Sequence, residues 1–118
     1  MLIGDCFMMA VPPKYDREHL WIVLSLPASD GKIIIVNVTS DLLRAGREFV
    51  LLAGTHKRIT HESYVSFSDA LLVLPANIER LVGKLVILEA PLTPELVAQI
   101  IAVAKAGKSM PDEFKRRL

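Results

Sequence analysis

Leu20-Trp21-Ile22-Val23-Leu24-Ser25-Leu26 and Lys32-Ile33-Ile34-Ile35-Val36-Asn37-Val38 are two aliphatic, β-branched runs of strand length, separated by Pro27-Ala28-Ser29-Asp30-Gly31. Ser29-Asp30-Gly31 is turn chemistry: Asp bonds its own backbone, and Gly supplies a positive φ without steric cost. The pattern predicts a tight hairpin pairing Trp21–Leu26 antiparallel with Ile33–Val38. Outward from it, Pro12-Pro13, Gly46, Gly54, Pro75, Gly83 and Pro91 cut the chain into further short apolar segments. These are Ile3–Val11, Glu48–Leu52, Ser63–Phe67 with its extension Ala70–Leu74, and Lys84–Leu88. Short strands at such regular spacing predict a mainly β chain, a small antiparallel barrel or sandwich.

Beyond Pro91 the pattern changes. Thr93 is an N-cap residue, Pro94 suits the first helical position, Glu95 favours the first turn, and Gly107 can end the helix. Leu96, Ile100 and Val103, flanked by Val97, Ile101 and Ala104, recur at helical spacing and predict a helix over about Pro94 to Ala106 packed on the sheet. Shorter helical turns are expected at Asn77–Val82 and Pro111–Leu118, the latter carrying Lys115-Arg116-Arg117. Residues 1–118 thus read as one domain, with a barrel over about 2–90, a helix over about 93–107 and a short basic tail over 108–118.

Composition narrows the function classes. The 118 residues carry 14 Lys+Arg against 13 Asp+Glu, a formal charge of +1, so no global field draws the chain to nucleic acid or an anionic membrane and any such contact needs a local cluster. The single cysteine, Cys6, cannot form an internal disulfide and reads as a reduced, buried thiol. The amino terminus has Asp5 but no basic n-region or cleavage site, so a cytoplasmic protein is expected; no apolar run reaches the ~20 residues of a membrane span. Hydrophobic residues make up 52% with a mean hydropathy of +0.40, which a small monomer struggles to bury, so a homodimer is expected.

Three histidines are the first candidates for acid–base chemistry near neutral pH. His19 reads as a loop residue after the charged run Lys14-Tyr15-Asp16-Arg17-Glu18, while His56 and His61 flank Lys57-Arg58 in a polar connection where a solvated surface histidine is the plain reading. The separation of His56 and His61 matches no common metal-ligand spacing, and no metal is expected. Cys6 lies in an apolar strand pattern without a neighbouring cation to activate it, and no glycine-rich phosphate loop is present, so no cofactor is expected. The richest stretch runs from Thr39 to His61. It crowds Thr39, Ser40, Arg44, Arg47, Thr55, His56, Lys57, Arg58, Thr60 and His61 into two connections, diluted by Asp41, Glu48 and Glu62. Cations with hydroxyls suit phosphate.

The order of elements resembles the MazF/PemK-type toxins of bacterial toxin–antitoxin systems. Gly4-Asp5-Cys6-Phe7 is similar to that family's opening Gly-Asp/Glu and apolar strand. His19-Leu20-Trp21-Ile22-Val23-Leu24-Ser25 resembles its Arg-Pro-x-apolar-Val-apolar-Ser strand, and Ile34-Ile35-Val36-Asn37-Val38-Thr39-Ser40 its strand ending in Pro-Ile-Thr-Ser. Ser63-Tyr64-Val65-Ser66-Phe67-Ser68-Asp69-Ala70 stands at its later Ser-x-Val strand; the similarity covers Leu2 to Leu88. The resemblance implies an SH3-like barrel with a C-terminal helix, a homodimer, metal-independent cleavage of single-stranded RNA, and a small antitoxin as partner. Thr39 matches the family's threonine, whereas His19 stands at the position of its arginine, with Arg17 two residues earlier.

Cleavage through the 2′-hydroxyl needs a base, an acid and positive charge at the phosphate. The expected catalytic set is His19, Thr39, Arg17 and His61, with Ser40, Arg44, Arg47, His56, Lys57 and Arg58 binding RNA. The alternative is a noncatalytic SH3-like module that binds RNA or a protein partner through the same loops; a bare interaction subunit is a third class.

Overall fold

The computed structural model describes residues 1–11 and 15–118, with the side chains of Tyr15, Asp16, Arg44 and Ala45 outside the description. Six strands, β1 (Cys6–Val11), β2 (Tyr15–Val23), β3 (Ile33–Thr39), β4 (Val50–Leu51), β5 (Ser63–Val73) and β6 (Ile87–Glu89), form one sheet in the order β4-β5-β3-β2-β1-β6. Every ladder between these strands is antiparallel. The helices are α1 (Leu42–Ala45), α2 (Pro75–Glu79), α3 (Pro94–Ala106) and α4 (Asp112–Lys115).

The predicted hairpin is present, with Trp21 opposite Asn37, Ile22 opposite Val36 and Val23 opposite Ile35. Its connection is longer than a tight turn. The ladder ends where the Ser25 hydroxyl accepts the Ile34 N–H at 2.8 Å, in place of a strand carbonyl. Gly31 takes φ +77° as its amide bonds back to Ala28 at 2.8 Å, the conformation for which glycine is suited there. The C-terminal helix also stands where it is expected, Thr93 accepting the Leu96 amide at 3.3 Å.

Two strands depart from expectation. β2 begins at Tyr15, so residues 15–19 are strand and not loop, Lys14 lying outside the described residues; Val11 opposite Tyr15 and Met9 opposite His19 pair this stretch with β1, whereas the ladder to β3 begins at Leu20. Backbone bonds to one neighbour sustain a strand whatever its side chains, so the apolar pattern did not reveal it. The two expected pieces near Ser63 and Leu74 are one strand, β5, carrying a wide bulge: between the Ile35–Leu71 and Asn37–Ser66 pairs β3 advances two residues and β5 five. Ser66 donates to Asp69 at 2.6 Å across the bulge. Opposite Ser66, Asn37 is fully buried, and among the described residues neither atom of its side-chain amide has a hydrogen-bond partner.

The sheet is buried on both faces. Leu20, Ile22, Ile34, Val36, Val65 and Phe67 meet Val97, Ile100 and Ala104 of α3 in one core, while Phe7, Trp21, Val23, Ile33 and Ile35 form a second with Ile78 of α2 and Val86. Two cores on one sheet absorb much of the aliphatic content read above as a sign of self-association. Cys6 is buried in the first core, and burial pushes its thiol up to about 12, the behaviour of an inert structural thiol.

The sheet curls as a half-barrel that strand pairing does not close, since β4 and β6 are its two edges. Side chains bridge the gap. His56, from the connection after β4, meets the Ala90 carbonyl through Nε2 at 2.7 Å, and Arg58 meets Glu89 at the end of β6. Among the described residues no helix is long and apolar enough to cross a membrane.

Candidate functional site

Where β2 runs past the edge of β3, an open cleft of about 240 Å³ forms at the rim of the sheet. Arg17, Glu18 and His19 come from β2, Thr39 and Ser40 from the end of β3, and Arg58, Thr60, His61 and Ser63 from the approach to β5; Met8, Leu20 and Val38 complete the lining. Since Leu20 faces Val38 across the ladder, the next step of the register places His19 beside Thr39. The curl of the sheet brings the far connection in from the other side, so residues as far apart in sequence as Met8 and Ser63 share one depression.

His19 is half-buried, and its Nδ1 donates to the Val38 carbonyl at 3.2 Å. A carbonyl can only accept, so this bond sets the proton on Nδ1, and a neutral ring then holds its basic lone pair on Nε2. Thr39 is buried, its hydroxyl oxygen accepting the Asp41 amide at 3.1 Å, which orients the side chain at the strand end. Ser40 is exposed beside it. Across the cleft His61 is exposed and its Nδ1 lies 3.3 Å from the Thr60 hydroxyl; Ser63 donates to the His61 carbonyl at 2.9 Å, holding the turn that carries both.

Thus the structure gathers Arg17, His19, Thr39, Ser40, Arg58 and His61 from the residues read as candidates. His56 is a correction to the surface reading: it is 7% exposed, its Nδ1 accepts the Arg58 amide at 3.0 Å, and its Nε2 donates to Ala90, so both ring nitrogens serve the closure of the sheet. Arg47 lies outside the cleft lining, 3.9 Å from Glu62 and with its guanidinium 5.6 Å from the Tyr64 ring centre. Tyr64 donates to the same Glu62 at 2.9 Å, which pushes its hydroxyl pKa up. Lys57 is exposed but does not line the cleft, and the side chain of Arg44, on α1, lies outside the described residues.

No family model and no curated protein matches the chain. The site must therefore be judged on its own chemistry. Two imidazoles, two guanidiniums and several hydroxyls around one open depression suit a phosphate; Glu18 is the acidic member of the lining. Among the described residues, no three His, Cys, Asp or Glu side chains gather as metal ligands.

Glu89 is the contributor that sequence reasoning missed. Its Oε2 accepts from Arg58 Nε at 2.9 Å and Nη2 at 2.7 Å, and these bonds hold its carboxyl below the usual range while raising the Arg58 pKa. It lies 31 positions from its partner, in a short apolar segment with no local signal of function.

Proposed function

We propose that the cleft is the site of a toxin-like, metal-independent endoribonuclease that cleaves single-stranded RNA, with the MazF/PemK-type toxins as the family it resembles. A small antitoxin covering the cleft and a homodimeric assembly belong to the same proposal. One observation carries it: an arginine, His19, Thr39 and His61 converge in one open depression, the arrangement that acid–base cleavage of a phosphodiester requires and that simple binding does not.

In this reading His19 Nε2 takes the proton from a ribose 2′-hydroxyl as its oxygen attacks phosphorus. His61, protonated, gives a proton to the departing 5′-oxygen. The P–O5′ bond breaks as the new P–O2′ bond forms, leaving a 2′,3′-cyclic phosphate and a free 5′-hydroxyl. Thr39 and Ser40 hydrogen-bond a phosphate oxygen, and the guanidiniums counter the charge that develops on it.

The decisive experiment is incubation of the purified chain with single-stranded RNA, with and without chelator, followed by analysis of the ends. Cleavage that survives chelator and leaves cyclic or 3′-phosphate ends is expected. His19→Ala should lower the rate by roughly 10²–10⁴-fold, the range of a lost general acid or base, and Thr39→Ala by less. Wild-type cleavage by folded His19→Ala would end the assignment. RNA bound but never cut would make the chain a noncatalytic binding module.

A further inference from the structure

We infer that Arg58 is the fixed phosphate-binding cation of the cleft and that Glu89, outside the cleft, is its positioning residue. The inference rests on the reading of the cleft as an RNA site and specifies how that site holds its ligand. Arg17 is exposed on the part of β2 that pairs with β1 alone, and Arg47 is engaged with Glu62 and Tyr64 elsewhere. Arg58 is held at both its ends. Its amide rests on His56 Nδ1 at 3.0 Å, and its guanidinium donates through Nε and Nη2 to a single oxygen of Glu89, at 2.9 and 2.7 Å. His56 is itself tied to Ala90, the residue after Glu89, so backbone and side chain of Arg58 are anchored on consecutive residues at the end of β6.

The pair is asymmetric. The Glu89 side chain is 10% exposed and that of Arg58 43%, so the carboxylate is the less exposed, anchoring partner, while Arg58 is the member of the pair that lines the cleft. With Nε and one Nη2 proton engaged side-on, the end-on edge formed by Nη1 and Nη2 keeps the parallel N–H pair that matches two phosphate oxygens. A guanidinium already oriented loses little rotamer freedom when the anion arrives.

A merely structural ion pair makes the opposite prediction. If Glu89 acts on the cleft only through its charge, removing that charge strengthens anion binding; if it positions Arg58, removing it weakens binding. The test is the affinity of the full chain for a fluorescent single-stranded RNA oligonucleotide, read by anisotropy over a range of salt. Arg58→Ala should bind about tenfold more weakly, with a salt slope smaller by about one phosphate contact. Glu89→Gln, which deletes the charge, and Glu89→Asp, which keeps it but shortens the reach, should each weaken binding about threefold or more. In the Arg58→Ala background Glu89→Gln should cause no further loss. Glu89→Gln binding as tightly as wild type, or tighter, overturns the inference while leaving the RNA reading intact, as does an unchanged Arg58→Ala. Should Glu89→Gln not fold, Glu89→Asp decides alone, wild-type affinity counting against the inference. A wild-type chain that binds no RNA removes the reading and the inference together.

Discussion

The β2–β3 hairpin and the seam between the post-β4 connection and β6 join neighbouring parts of the same sheet by opposite means. In the hairpin the backbone does the joining, Trp21 to Val23 pairing with Ile35 to Asn37 over only 12 to 16 positions closed by a glycine turn. At the seam no strands pair among the described residues, and His56 with Ala90 and Arg58 with Glu89 do the joining over 34 and 31 positions. Backbone pairing is sequence-tolerant and buried among aliphatic side chains; the seam depends on a few particular polar groups. The candidate site lies where the two meet, one wall on β2 and β3, the other on the seam.

Substitutions can grade that contrast. The largest loss is expected in the hairpin from Trp21→Ala: the ring is fully buried in the second core and its Nε1 donates to the Met9 carbonyl at 3.0 Å. Chemical denaturation should show a loss of about 3–5 kcal/mol. At the seam, His56→Ala leaves the Arg58 amide and the Ala90 carbonyl without their partner, and about 1–2 kcal/mol is expected by the same measurement. A loss at His56 equal to that at Trp21 would mean that the seam is as strong as the ladder and would undo the contrast.

The smallest effect concerns the hairpin turn, where Asp30 accepts from Arg117 through both carboxylate oxygens at 2.9 and 2.8 Å. The Arg117 hydrogen bond, with the Lys32 amide, holds the Asp30 carboxyl down at about 2. Its folded-state pKa lies below the unfolded value of about 4, so its stabilisation is present above that pH and fades as the pH falls towards 2. Asp30→Asn should lower the neutral-pH plateau and flatten the acid limb in that window by the same small amount, since exposed pairs contribute little.

The same contrast explains what the sequence disclosed. Turn residues and apolar runs are local signals, and they located β3, the pairing of β2 with it, and α3 with its Thr93 cap. Local signals failed where the cause is distant. Residues 15–19 are strand because β1 pairs with them, although Arg17, Glu18 and His19 carry the marks of a loop. His56 reads as a surface histidine between polar neighbours, and only the curl of the sheet brings Ala90 to its ring. Within the site, His19, Thr39 and His61 were legible from residue type and position; the anchoring of Arg58 was not, because Glu89 belongs to a different part of the chain.

All seven residues of β3 are buried, and they alternate between the two cores, Ile34, Val36 and Val38 facing one and Ile33 and Ile35 the other. The strand is a party wall. Displacing β3 would open both cores at once, so the helix-covered half and the opposite half share a single segment. Val38 and Thr39 end that wall and also line the cleft, so the strand that both cores share is the one that sets the position of the site.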